Sequence, residues 1–558
     1  MHATASSSRM SDVHAGTAYF SYLARCFPVM CASDEFHFLP RATQAVEFYD
    51  RIEDLDAHTV SDILSHLKGF QKTFAQQASE ACELEKQIDF VLLQSNAAGA
   101  IIELEQNQSW RRNPLLYLKI ACIGLDHALN RPAASIPERA ERTRARLSGL
   151  PRLLQQAMVN LSQIPQTYYS ASQAMIRDAR DYLGSIAQAD FSPDLNLNSE
   201  MEQAVGALSE FNRFITAQTP LPDAECATGS LEASLREHFL TNYTADEIYR
   251  FALDEWHQTL EVLKKLEQQI DPLKTWQELY HEFMPNEIRE MDTLSLYAKE
   301  IERLRSFFNC NGFRLEDLDA PLELAETPLY LQSIRSSASF GAALREDEGE
   351  KSYFYMTLPQ SLNQSDEDVL LEQRLHREYK YLTAHETIPG HHVLDSFRRR
   401  MANPVRRQIE SPLFYEGWAT YVESLLTEQG YISQPIEILV DYKRRLWRCA
   451  RCMIDVGLPT QRLTKAEARK LLMEVGFSEA ESRKQIARFQ LNPGYQLCYS
   501  LGRNEFMRLR NTCAKNMTKE RFHAFILEGG QLPFDLIEKR LVRATSALHP
   551  AWKRDEET

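Results

Sequence analysis

The sequence predicts a mainly helical fold with one small β-hairpin. Glycine (20) and proline (23) are sparse in a chain of 558 residues, which argues against an all-β fold with many tight turns. Apolar residues recur at the spacing of one helix face, as in Ile63, Leu67 and Phe70. After a proline-bracketed loop at 321–328, two short, partly aromatic runs within 337–358 flank a charged turn and indicate the hairpin.

The length of the chain and its 44% hydrophobic content suggest two or three lobes. We expect residues 1–35 to be a loose, flexible leader and residues 36–199 to form an N-terminal helical lobe. Residues 200–558 are expected to form a helical catalytic region. A polar stretch at 189–199, rich in Asp, Asn and Ser, predicts the boundary between these lobes.

Composition disfavours several classes of partner. A net charge of −15 without a basic stripe disfavours nucleic acid, and no apolar run reaches the length of a membrane span. The apolar stretch at 17–33 is interrupted by Arg25 and lacks a basic flank, so we do not expect a signal peptide. Ten scattered cysteines favour free thiols and a cytoplasmic location, and the lone CxxC of Cys449 and Cys452 favours buried thiols over metal or redox chemistry. Nothing predicts the oligomeric state.

The histidine cluster around position 385 reads T-A-H-E-T-I-P-G-H-H. In an H-E-x-x-H helix the two histidines share one face and hold zinc, while the glutamate activates water. Here the i+4 position is Pro389, but the Pro-Gly insertion breaks the helical ladder and permits a bulge that returns His391 to the metal. His392 competes, although at i+7 it lies about 10.5 Å further along an ideal helix. We favour His385 and His391 as ligands and keep His392 as the alternative.

A third ligand is expected from the segment E-G-W-A-T-Y-V-E, where Glu416 and Glu423 lie two turns apart on one face of a predicted helix. One of them can bind metal while the other orients a ligand histidine. The sequence therefore predicts a metal site within 385–423 that holds one Zn²⁺ per chain. Zinc with three protein ligands keeps a position open for water.

The motif T-A-H-E-x-x-P-G-H-H followed by E-G-W-A-x-Y-x-E resembles the bacterial domain-of-unknown-function family 885, a zincin-like group. Further blocks at 110–117, 232–248, 451–458 and 492–502 extend the resemblance over most of the chain. The resemblance implies a large helical zincin-type (gluzincin-like) metallohydrolase with a small sheet beside the metal helix, and peptidase-like chemistry. The glutamate helix also resembles the third-ligand helix of alanyl-aminopeptidase-type zincins, which favours Glu416 as the ligand.

Two positions depart from the family pattern. Pro459 stands where the family block usually ends in histidine. In the block P-G-Y-Q, Tyr495 displaces the glutamine, which here is Gln496. If these positions contact substrate, as we expect for Gln496, the specificity of this protein is shifted.

The implied chemistry is zinc-dependent hydrolysis of a peptide or amide bond, with Glu386 as the general base. Tyr499 is a candidate oxyanion donor or, equally, a core tyrosine. Arg451 and Arg448 are candidates for a substrate carboxylate, as in a carboxypeptidase, but an ion pair of Arg451 with Asp455 at i+4 is favoured.

The strand at 352–358 is expected to be the edge strand beside the metal helix, where an extended peptide can pair with it. The expected partner is a peptide or a small amino-acid-derived substrate. One alternative is a zinc enzyme of specialised metabolism that acts on such a small compound. Another is an inactive zincin used as a binding module, against which the intact Glu386 argues.

Overall fold

The computed structural model of the protein describes residues 12–188, 197–223, 229–289, 291–313, 315, 320–335, 337–345, 350–358 and 366–548. Its helices are α1 (Asp12–Cys26), α2 (Ala57–Glu80), α3 (Leu84–Ile101), α4 (Ser109–Arg112), α5 (Pro114–Asn130), α6 (Ile136–Asn160), α7 (Gln166–Gln188), α8 (Asn198–Thr216), α9 (Ser230–Ala233), α10 (Ala245–Ile270), α11 (Trp276–Glu282), α12 (Thr293–Cys310), α13 (Asp366–Glu386), α14 (His391–Arg399), α15 (Pro404–Gln408), α16 (Pro412–Glu428), α17 (Pro435–Gly457), α18 (Lys465–Glu474), α19 (Glu479–Phe489), α20 (Cys498–Cys513), α21 (Lys519–Gly529) and α22 (Phe534–Leu548). The predicted mainly helical fold is confirmed.

Local sequence signals set several helix starts. Thr244 and Glu247 form a complete capping box at the start of α10, and Thr275, Thr464 and Ser478 cap later helices in the same way. In each case the side chains satisfy backbone N–H groups that have no partner within the helix. None of the helices in the described ranges is long and apolar enough to cross a bilayer.

The N-terminal segment is part of the core. Helix α1 buries Tyr19, Phe20 and Leu23 completely, and they belong to one continuous hydrophobic cluster that reaches from Ala15 to Leu541. The prediction of a loose leader is therefore wrong for residues 12–35, because the apolar side chains of α1 recur on one helix face and pack. Residues 1–11 lie outside the described part.

The predicted linker at 189–199 falls mostly outside the described residues as well, since α7 ends at Gln188 and α8 begins at Asn198. The division of the chain into lobes at 199 stays a prediction.

A three-stranded sheet follows the N-terminal helices, in the order β1 (Leu322–Glu326), β3 (Ser352–Met356), β2 (Ala338–Gly341). Strands β2 and β3 are antiparallel, which confirms the predicted hairpin, and β1 runs parallel to β3. Two expectations are wrong. The loop predicted at 321–328 contains β1, and β3 is the central strand. The edge strand that contacts helix α13 is β2. Both faces of β3 are partly covered, and Phe354 and Met356 are fully buried, which suits a central position.

Helices α16 and α20 cross with their backbones in contact. A Cβ atom added at Gly417 would lie 2.6 Å from the Cα atom of Gly502, and one added at Gly502 would overlap the carbonyl oxygen of Leu413. Only glycine permits this approach at both positions. The crossing brings Glu416, beside Gly417, next to Tyr499, which lies one turn before Gly502.

Candidate metal centre

The chain turns sharply between the two histidine-bearing helices. Helix α13 ends at Glu386 and α14 begins at His391, so the Pro-Gly insertion separates two helices. A Cβ atom at Gly390 would overlap the carbonyl oxygens of Ala384 and His385, so this position requires glycine. The indole N–H of Trp418, from α16, donates to the carbonyl oxygen of Pro389 over 3.0 Å and ties the turn to the glutamate helix.

This turn brings His385, His391 and Glu416 together. Glu416 Oε2 lies 3.3 Å from His385 Nε2 and 3.5 Å from His391 Nε2, and all three side chains are buried. Potential ligand atoms of the three residues lie within 4.8 Å of one another. Within the described ranges, this is the one group of three or more His, Cys, Asp or Glu side chains close enough to hold a metal ion.

His392 lies outside this group. Its ring packs 6.0 Å from that of Phe340 on β2, and it faces the charges of Asp395 and Arg399. Burial lowers the pKa of His392 to about 4. Of the two competing histidines, the structure therefore brings His391 to Glu416.

The two carboxylate oxygens of Glu416 have different surroundings. Oε1 accepts hydrogen bonds from the phenols of Tyr495 over 2.6 Å and Tyr499 over 2.8 Å. Oε2 is buried and accepts no hydrogen bond, although buried polar atoms nearly always have a partner. The phenols therefore fix the carboxylate and leave one oxygen beside the two imidazoles.

The sequence did not reveal the role of Tyr495, which stands out there only as a departure from the family pattern. The one feature in the sequence that links the two tyrosines is their spacing of four residues. Nothing local to this segment indicates that both hydroxyls converge on Glu416.

Glu423 supports His385 from behind. Its carboxylate lies 2.7 Å from His385 Nδ1. It also accepts hydrogen bonds from the guanidinium groups of Arg444 and Arg448, those from Arg448 over 2.6 and 2.8 Å. Burial alone would raise the pKa of the Glu423 carboxyl, but the two guanidinium groups hold it well below its usual range. Burial lowers the pKa of His385, yet the carboxylates of Glu416 and Glu423 raise it to about 9.

Glu386 follows His385 at the end of α13 and lines the same cavity as the histidines. Burial raises the pKa of its carboxyl, against the opposing attraction of His385 and His391. In the same way burial would raise the pKa of Glu416, but the neighbouring His385 and His391 hold it well below its usual range.

These side chains lie at a cavity of about 950 Å³. The segment from Ser33 to Leu39 and strand β2 form part of its wall, so the N-terminal region contributes directly to the site. Pro459, the other departure from the family pattern, also lines the cavity.

Arg451 lines the cavity but does not form the ion pair favoured from its spacing. Its Nε donates to Gln496 Oε1 over 3.0 Å, and its guanidinium lies 3.9 Å from the centre of the Tyr499 ring. Asp455 instead accepts the backbone N–H groups of Gly494 and Leu497. Gln496 thus holds Arg451 in place.

The cysteines of the described residues are all free thiols. Cys449 and Cys452 are completely buried, and burial raises both thiol pKa values well above the usual range. Buried, protonated thiols are poor nucleophiles and poor metal ligands. The cytoplasmic location stays a prediction.

The molecule is thus a mainly helical protein with a buried His-His-Glu group at the wall of a large cavity. A family model described as "Bacterial protein of unknown function (DUF885)" matches residues 40–541. The chain belongs to this family.

Two solved structures show the same fold. A candidate lipoprotein of unknown function from Shewanella oneidensis is 20% identical with a TM-score of 0.74, and the match covers 96% of this chain and 100% of that one. A candidate lipoprotein from Colwellia psychrerythraea is 16% identical with a TM-score of 0.73 and the same coverage. No match is found among curated proteins.

Proposed function

We propose that this protein is a zinc-dependent hydrolase of zincin type that cleaves a peptide or amide bond. The observation that carries the proposal is Glu416 Oε2, a buried oxygen without a hydrogen bond that lies 3.3 and 3.5 Å from two imidazole nitrogens. Ligand bonds of about 2.0–2.1 Å in a tetrahedron place ligand atoms about 3.3–3.4 Å apart, so the donor set fits zinc in both chemistry and spacing.

His385, His391 and Glu416 would hold the ion. Bound zinc lowers the pKa of a coordinated water towards about 7 and polarises a carbonyl group. Glu423 keeps His385 in the orientation that presents Nε2, because it occupies Nδ1.

Glu386 is the proposed proton acceptor. It sits beside the ligand histidine, and its carboxyl has a pKa raised by burial, which suits a group that takes a proton from water and returns it to the leaving amine. Tyr499 donates to Glu416 in the structure, so we assign it the positioning of that ligand; an oxyanion role would require its hydroxyl to turn away. We assign the pairing with an extended peptide substrate to β2 instead of β3, because β2 is an edge strand and lines the cavity.

The test combines metal analysis with activity. Purified protein should contain about one zinc ion per chain, and His385→Ala should lose it. A peptide-library digest read by mass spectrometry then supplies a substrate. On that substrate Glu386→Gln should keep zinc but lose about 10²–10⁴-fold or more in rate, because an amide cannot accept the proton.

Either of two results would overturn the proposal. One is full zinc retention by His385→Ala. The other is a Glu386→Gln variant that binds zinc and turns over at the wild-type rate, because another base would then be at work.

A further inference from the structure

One wall of the cavity carries three arginines that have no carboxylate partner in the described part of the chain. They are Arg374 on α13, Arg451 on α17 and Arg488 on α19, and all three line the cavity that also contains Glu386 and Glu416. Buried or half-buried charges are normally paired.

The neighbouring cations show the normal situation. Arg444 contacts Glu378 over 2.6 Å, Arg448 contacts Glu423, and Lys443 also contacts Glu378. Glu378 and Glu423 are thus engaged by closer cations, and Glu378 attracts Arg374 only at longer range.

Asp455, four residues after Arg451, makes no ion pair with the cluster. Its two oxygens accept the backbone N–H groups of Gly494 and Leu497 over 2.8 and 3.0 Å, and burial raises its pKa to about 7. The cluster therefore keeps a local excess of positive charge.

Arg451 and Arg374 both lie near the Trp447 ring, and Arg488 is within electrostatic reach of both. Arg451 Cζ is 5.0 Å and Arg374 Cζ is 5.8 Å from the Trp447 ring, and Arg451 is 5.5 Å from the ring of Phe489, next to Arg488 in the chain. Burial and the repulsion of Arg374 and Arg451 lower the pKa of Arg488 to about 10.

Two buried donors in this cluster have no acceptor. Arg488 Nη2 and Trp447 Nε1 are both inaccessible to solvent and make no hydrogen bond. A buried donor without an acceptor lowers the stability of the fold. Both of these residues line the cavity. The cluster is therefore short of acceptors, and an anion in the cavity would supply acceptor oxygens to those guanidinium donors that face it.

We infer that the substrate carries a carboxylate and that Arg374, Arg451 and Arg488 hold it during hydrolysis. This inference rests on the proposed function, because it assigns the substrate of the same cavity. A carboxylate matches the planar, forked donor geometry of a guanidinium group. The neutral aromatic rings of Trp447 and Tyr499 supply the walls of this subsite.

The subsite is close to the reacting bond. Only the ring of Tyr499 separates Arg451 from Glu416, with 3.9 Å from guanidinium to ring centre and 2.8 Å from hydroxyl to carboxylate. At about 3.3–3.6 Å per extended residue, the carboxylate lies within about two residues of the bond that is cut. This spacing suits a free C-terminal carboxylate or an acidic side chain next to the scissile bond.

Binding of matched probes tests the subsite without turnover. N-Benzoylglycine carries a carboxylate, whereas N-benzoylglycinamide has the same size without the charge. By calorimetry on the full-length Glu386→Gln protein, we expect the acid to bind at least about tenfold more tightly than the amide, as lost charge-assisted hydrogen bonds would require. The preference should persist in zinc-free protein, which excludes capture of the acid by the metal.

Arginine variants then locate the subsite. Arg451→Gln and Arg488→Gln should each remove most of the preference, while Arg488→Lys should keep part of it. Arg483→Gln is the matched control, since Arg483 lies on the same helix but is exposed and pairs with Glu479. Equal affinity of the Glu386→Gln protein for acid and amide would overturn the inference. So would an undiminished preference for the acid after Arg488→Gln is added, provided that this variant is correctly folded.

The source of the carboxylate follows from the digest. Cleavage only of peptides with a free C-terminus indicates a C-terminal carboxylate, and equal cleavage of amidated peptides with an acidic residue beside the bond indicates a side chain. Equal cleavage of peptides that have neither a free C-terminus nor an acidic residue beside the bond would overturn the subsite. The proposed hydrolase activity would then still stand. Carboxylate binding in a protein that cleaves nothing would overturn the hydrolase and leave an anion site.

Discussion

Helix α16 carries two buried glutamates in opposite surroundings. Glu416 is fixed by two neutral phenols that share one oxygen, and its other oxygen has no hydrogen bond. Seven residues later, Glu423 is saturated by His385 and two arginines. The same residue type on one helix is thus prepared for different tasks. The number and charge of the donors around each carboxylate, rather than its position on the helix, separate a candidate ligand from the group that orients one.

The largest effect on zinc affinity is expected when the carboxylate of Glu416 is removed. Glu416→Ala should lower zinc affinity by more than about 100-fold, beyond the range typical of groups that only support a ligand. The measurement is a zinc competition titration with a chelator. Glu428→Ala is the matched control, because Glu428 lies exposed at the end of the same helix.

The histidines provide a second control for this result. His391→Ala should lose zinc as Glu416→Ala does, whereas His392→Ala should retain it, since His392 lies outside the group. Zinc retained by Glu416→Ala or lost from His392→Ala would contradict the ligand set.

An intermediate effect on zinc affinity is expected from substitution of Glu423. Glu423→Ala should weaken zinc binding by about 10–100-fold, because His385 loses the acceptor at Nδ1. It should also lower the free energy of unfolding of the zinc-free protein by about 3–5 kcal/mol, since Arg444 and Arg448 remain buried without this partner. Urea unfolding measures the second quantity. A zinc affinity lower than that of Glu416→Ala would transfer the ligand role to Glu423.

The smallest effect on zinc affinity is expected when the hydroxyl of Tyr495 or Tyr499 is removed. Tyr495→Phe and Tyr499→Phe should each change zinc affinity by less than about tenfold, because each removes one of two donors to the same Glu416 oxygen. The double variant should show a change that is not the sum of the two, since either phenol alone still fixes the carboxylate. Chelator competition at constant pH measures all three. A single phenylalanine variant that loses zinc outright would mean that the two donors are not equivalent.

The histidine turn was predictable because its cause is local. A proline that breaks the helical ladder and a glycine that permits close backbone approach stand next to each other in the sequence, and both act within a few residues. The hairpin was predictable for the same reason. The strand order was not, because the parallel pairing of β1 with β3 depends on contacts across 30 residues of chain.

The charge partners were less accessible to sequence reasoning. The i+4 spacing of Arg451 and Asp455 satisfies the rule for a helical ion pair, yet Asp455 is occupied by backbone groups of the later segment at 494–497. Arg451 turns to Gln496 of that same segment. Whether a charge is paired is decided by such long-range neighbours, and so the cluster of arginines without a carboxylate partner could not be predicted. The buried helix α1 was missed because its apolar residues were weighed only as a targeting signal.

The glycine crossing of α16 and α20 has a consequence for how the protein tolerates sequence change. Since backbone touches backbone, a methyl group at either Gly417 or Gly502 already forces the helices apart. A second methyl group would then meet a gap that the first has opened, so the two substitutions should be far from additive. Separation of the helices also withdraws Tyr495 and Tyr499 from Glu416. The two glycines therefore act as one steric constraint, because the space that either methyl group needs is the same narrow gap between the helices.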